Sequence, residues 1–113
     1  MIITRKWKDV EPKANPHKVD ARNIYQDKNA LIVHMLLEPG DALLPHKTPV
    51  DVVFYVLEGT GTVEIGNEKK EVKKDMLVES PKDIPHSWHN TGKGKLRIMV
   101  IKIPNPTRPT KIL

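Results

Sequence analysis

Five histidines, at positions 17, 34, 46, 86 and 89, are the side chains of this 113-residue sequence best suited to chemistry. A neutral imidazole is the commonest metal-binding side chain, and imidazoles on separate strands can converge on one ion. Two of the five sit in informative surroundings: His46 in PGDALLPHKTPVDVVFYVLEGTG and His86 in SPKDIPHSWHN. They are the candidate ligands of one weakly held divalent transition metal. His34, on the apolar run ALIVHMLLEPG, is the candidate third ligand.

Side chains of a strand alternate between its two faces. An extended chain therefore puts His46, Thr48, Val50 and Val52 on one face and Asp51 on the other, with Phe54 and Val56 continuing the first row. By the same parity Trp88 accompanies His86, and His89 points to the surface. Thr48, Val52, Phe54 and Trp88 are thus the expected lining of a small-molecule pocket, apolar with few polar groups. The Thr48 hydroxyl suits an anionic ligand as a donor, whereas without a partner it is no general base.

Other chemistries are excluded by what the sequence lacks. With no cysteine there is no disulfide framework, thiolate metal site or cysteine nucleophile. There is no Gly-x-Ser-x-Gly, phosphate loop or dinucleotide fingerprint, and the two serines, Ser80 and Ser87, complete no nucleophile pattern. The N-terminal stretch MIITRKWKDVE has no apolar signal core, and no run approaches the roughly 18 apolar residues of a membrane span. The expectation is a soluble, cytoplasmic protein with no membrane partner.

The elements that must position these residues are strands. Short runs rich in Val and Ile recur between Gly, Pro, Asn and Asp, and none repeats at helical spacing. Strands are expected at 30–37, 50–57, 61–65, 69–72, 76–79 and 95–103, with Gly66-Asn67 as a tight hairpin turn. The fold class is all-β, a sandwich or barrel in one domain spanning 1–113. Residues 1–29, polar and broken by Pro12 and Pro16, are expected to wrap a barrel core of about 30–103. Two short pieces of that segment, 19–21 and 23–25, are candidate edge strands. Residues 104–113, with Pro104, Pro106 and Pro109, are expected to end the sheet as an extended tail.

Charge is uneven along the chain. Residues 1–83 carry 13 basic and 14 acidic side chains, and residues 84–113 carry six basic and none acidic. These six alternate with apolar residues or lie in the proline-broken tail, so they read as solvated positions. Trp88 is the only aromatic near them for base stacking, and nucleic acid is not the expected partner. Fifteen lysines among 29% charged residues give the composition a thermophile-like cast.

The spacing of Gly40, His46 and Gly59, followed by Pro81, His86 and Asn90, resembles the paired motifs of the cupin superfamily over about residues 30–103. The resemblance implies a double-stranded β-helix (jelly-roll) barrel, often a homodimer, with a metal held by three His and one Glu. Thr48 stands where the second His of the first motif would be, and Val52 where its Glu would be. In the second motif Asp83 and Lys74 replace glycines. Only His46 and His86 of the four ligands remain, so the expected function is binding of a small, anionic ligand beside a partly degenerate metal site. The alternative is a metal-dependent enzyme of the dioxygenase or isomerase kind using His46 and His86.

Overall fold

Alternating burial along the strands builds a two-sheet barrel. In the computed structural model, which describes residues 1–113, the first sheet has the order β1 (Asp20–Gln26), β2 (Leu31–Leu37), β9 (Leu96–Ile103), β4 (Asp51–Glu58) and β7 (Leu77–Ser80). The second has the order β10 (Lys111–Ile112), β3 (Ala42–Lys47), β8 (His86–His89), β5 (Thr60–Ile65) and β6 (Glu68–Lys73). Neighbouring strands are antiparallel throughout. From β2 onward the chain changes sheet at every connection except the β5–β6 hairpin, so residues distant in sequence meet between the sheets. The all-β class is as expected. The only helix is a 3₁₀ turn at Trp7–Asp9, so no helix is long and apolar enough to cross a membrane.

The core follows from period-2 burial. Val52, Phe54 and Val56 of β4 and Leu96, Ile98 and Val100 of β9 point inward, and Trp88 of β8 meets them from the other sheet. Each fully buried side chain of this size contributes roughly 1.5–3 kcal/mol. Two turns show why their residues are needed. Gly59 links β4 to β5 at φ +87°, and a Cβ there would lie 2.2 Å from the Lys95 carbonyl oxygen, so only glycine fits. Asp83, in the place of a motif glycine, holds φ +61°, a left-handed conformation that Asp tolerates better than most residues.

Three expectations need correction. The candidate edge pieces 19–21 and 23–25 are one strand, β1, interrupted by a register shift between Asn23 and Tyr25. β3 and β8 were not among the expected strands. β3 contains Pro45 and shifts register between Leu43 and His46, and three of the four residues of β8 are buried whichever way they face, so neither alternates cleanly. The tail does not end the sheet: after its prolines, Lys111 and Ile112 pair with Lys47 and His46 as β10.

Candidate functional site

β3, β4, β8 and β9 enclose one end of the barrel around a cavity of about 300 Å³. His46, Thr48, Val52, Phe54 and His86 line it, and Met35, Leu43 and Val100 supply further apolar wall. The His46–Thr48–Val52–Phe54 row is thus brought together as parity predicts. Asp51 points outward, where its carboxylate accepts from the Lys82 N–H at 2.9 Å. His89 is exposed. Trp88 is fully buried but does not reach the cavity, because it packs edge-on against Phe54 at 5.2 Å and fills the barrel beneath it. His34 lies on the opposite face of the first sheet, stacked on Trp7, and does not join His46 and His86. Its parity explains this: Val33 and Met35 are the inward residues of β2.

His46 and His86 meet edge to face, with their Nε2 atoms 2.9 Å apart. Burial holds both imidazoles below their ordinary pKa, His86 down to about 3 with help from the neighbouring His46 charge, so both are neutral near pH 7. Their partners then fix the protons. The Leu44 carbonyl can only accept, so His46 Nδ1–H donates to it and His46 Nε2 carries a lone pair. His86 Nε2–H donates to that lone pair, and Ser80 Oγ–H donates to His86 Nδ1 at 2.6 Å. The result is a directed chain from Ser80 through both rings to the backbone.

Two site residues were not legible as such. His17, in the N-terminal segment, lines the cavity, tilts against His46 at 4.9 Å between ring centres, and accepts the Leu44 N–H on Nδ1 at 2.8 Å. Burial, then the charges of His46 and Lys102, lower its pKa to about 4. No spacing in a proline-broken segment marks it. Lys102, read from sequence as solvated, lines the cavity half-buried. Here a signal existed: Lys102 continues the parity of Leu96, Ile98 and Val100. Burial lowers its pKa, and its ammonium donates to Thr110 Oγ1 at 3.4 Å.

The polar lining of the cavity carries donors and one cation but no anion. Thr48 Oγ1 is buried without a hydrogen-bond partner. Neutral His17, accepting on Nδ1, carries its proton on Nε2, and Lys102 is cationic. Asn15 also lines the cavity, but its side-chain amide is spent on the backbone of Lys13 and Val19. No Asp or Glu is among the lining residues.

This donor set does not fit a resident divalent metal. A rotation of the Ser80 hydroxyl frees at most two imidazole lone pairs, and His17 offers none. Thr48 and Val52 bring no charge, and Lys102 adds a positive one where a carboxylate is needed. No group of three or more His, Asp or Glu is arranged to hold an ion.

A small antiparallel barrel whose chain alternates between two sheets, with its cavity reached from both the 40–59 and 81–90 segments, is the architecture of the double-stranded β-helix. The family profile described as the cupin domain matches residues 33–102, and the chain belongs to the cupin family. An uncharacterized protein of Methanocaldococcus jannaschii is 32% identical over 83 residues, which cover 73% of this chain and 66% of that relative. A crystal structure from Thermus thermophilus is 27% identical, with a TM-score of 0.78 over 91% of this chain and 98% of the other. The polyketide cyclase RemF from Streptomyces resistomycificus shares the fold, with a TM-score of 0.84 at 18% identity over all of this chain and 86% of its own.

Proposed function

We propose that the barrel binds a small organic anion, a carboxylate with a short apolar body. The observation that carries this reading is the cavity's charge: Lys102, with donors on the Thr48 hydroxyl and His17, lines an apolar space that has no acid among its lining residues. The buried hydroxyl has no hydrogen-bond partner and the half-buried ammonium no counter-ion, and a carboxylate would satisfy them together. About 300 Å³ is at the small end of ligand sites, which suits a small molecule. Isothermal calorimetry with lactate and its neutral isostere lactamide tests the reading. Binding of lactate alone is expected, and equal binding of lactamide would overturn it.

A metal-dependent enzyme of the dioxygenase or isomerase kind has one observation in its favour, the 2.9 Å approach of the His46 and His86 Nε2 atoms. Elemental analysis of untagged protein, beside a His46→Ala/His86→Ala double variant, separates the two readings. Trace metal in both samples is expected from the donor set. Near-stoichiometric metal that the double variant loses would overturn the metal-free reading and make oxygen consumption or isomerisation the next assay.

A further inference from the structure

The cavity contains one primary amine, and no carboxylate in it acts as that amine's counter-ion. Lys102 closes the inward row of β9 after Leu96, Ile98 and Val100. Its Nζ has one hydrogen-bond partner, the Thr110 hydroxyl at 3.4 Å. It lines the same cavity as His17, His46 and His86, and the charge it carries when protonated lowers the pKa of all three. In an apolar enclosure without an acid, the ammonium form loses hydration and gains no ion pair, so Lys102 releases its proton more readily than an ordinary lysine while still resting as the cation. A neutral amine in such a pocket is a nucleophile toward carbonyl carbon.

We propose that Lys102 is a carbonyl-reactive amine whose Nζ forms an imine with a small 2-oxo acid. The proposal rests on the anion-binding reading: the carboxylate takes the Thr48 and His17 donors, and the adjacent carbonyl carbon presents itself to Nζ. The nitrogen lone pair forms the C–N bond as the carbonyl π pair moves to oxygen. One proton passes from nitrogen to that oxygen, giving a carbinolamine. The hydroxyl then leaves with a second proton as one molecule of water, the nitrogen lone pair closing the C=N bond. No oxidant or reductant takes part, and hydrolysis returns the free amine and the oxo acid.

Reductive trapping tests this on the full chain. The protein is incubated with pyruvate near pH 7, an imine is fixed as a secondary amine by sodium cyanoborohydride, and the label is mapped by peptide mass spectrometry. Labelling at Lys102, one of 15 lysines, is expected to exceed that at each of the others by tenfold or more. It should saturate with pyruvate and be absent in Lys102→Arg. Labelling spread over the lysines without preference for Lys102, or none at saturating pyruvate, would overturn the proposal. Thr48→Val keeps the amine and guards against a misfolded arginine variant: its trapping by pyruvate should fall several-fold, and its trapping by acetaldehyde, which has no carboxylate, should not change. The two readings fail separately. Lactate binding without pyruvate trapping removes only the amine chemistry, and selective Lys102 trapping without lactate binding removes only the anion site.

Discussion

Two buried histidine sites lie on either side of the first sheet, His34 on its outer face and His46 with His86 reaching from the second sheet into the barrel interior, and each is roofed by one end of the chain. Outside, His34 is 1% exposed beneath Trp7, the rings stacked at 4.0 Å and 13°. Arg22 and Arg97 lie over the same indole at 5.1 and 5.5 Å, and Arg97 Nε donates to His34 Nε2 at 3.1 Å. Each guanidinium has its own acid, Asp20 for Arg22 and Glu58 for Arg97. Inside, His46 and His86 are buried too, but Lys102 has no acid and Thr48 Oγ1 no partner. Burial alone therefore does not separate a structural histidine from a functional one. What separates them is whether the surrounding charges are already neutralised and whether the unsatisfied groups face open space. His34 Nδ1 also lacks a partner, yet His34 lines no cavity.

The largest effect should fall on both clusters alike. Burial lowers the pKa of His17 and His34 to about 4 and of His86 to about 3, and lowers that of His46 too. The unfolded chain, near 6.5, binds protons that the folded chain refuses, so stability rises with pH through this window. It is complete above about pH 6.5 and falls as the pH drops toward 4. The slope is at most about 1.4 kcal/mol per pH unit for each imidazole. Thermal unfolding from pH 7 to 4 measures it. His34→Gln and His86→Gln should each flatten the curve, and if only one does, burial does not act equally on the two clusters.

The remaining variants should pull the clusters apart. Lys102→Met is expected to weaken lactate binding by about 10- to 100-fold, the worth of a hydrogen bond to a charged group. Titration by calorimetry reads this, and His34→Gln should bind lactate as the wild type does. Trp7→Ala should lower stability by about 1.5 kcal/mol through the lost stack and cation–π contacts, seen as a lower urea midpoint. Its lactate affinity should not move. A loss of affinity in Trp7→Ala would mean that the outer cluster supports the site.

How much of this was legible in the sequence follows the same division. The inward row His46–Thr48–Val52–Phe54 came from period-2 alternation, which survives the bend at Pro49 and Val50 because the parity of β3 carries into β4. The outward turn of His34 was equally present in ALIVHMLLEPG, but an apolar residue at nearly every position of β2 hides which face is the core. Outward Ile32 and Leu36 are as hydrophobic as inward Val33 and Leu37. His17 was not readable by any local rule, since its place depends on a segment that reaches the cavity over 27 residues to Leu44. At Lys102 the charge argues for solvent while the parity of β9 points the side chain inward, and the parity prevails. Its four-carbon stem lets it end an inward row without burying the charge completely.

The smallest effect concerns the two roofs. Trp7 is fastened over His34 by its stack and three cations, counting Lys8 at 5.7 Å. The C-terminal roof has less: two paired residues in β10, the Leu113 N–H to the Pro45 carbonyl at 3.0 Å, and the Thr110–Lys102 contact. Pro109, Thr110 and Ile112 nonetheless form part of the cavity wall. Deleting residues 109–113 should therefore cost less than about 1 kcal/mol, given roughly 0.5–1.5 kcal/mol for a hydrogen bond and the chain entropy regained on release. Its visible consequence should be kinetic. With that wall gone, lactate association and dissociation, followed by NMR line broadening, should both quicken several-fold with little change in affinity. A truncated protein that exchanges lactate no faster would show that the cavity is entered elsewhere, beside Pro16 and His17, and would make the C-terminal strand as purely structural as the tryptophan on the other face.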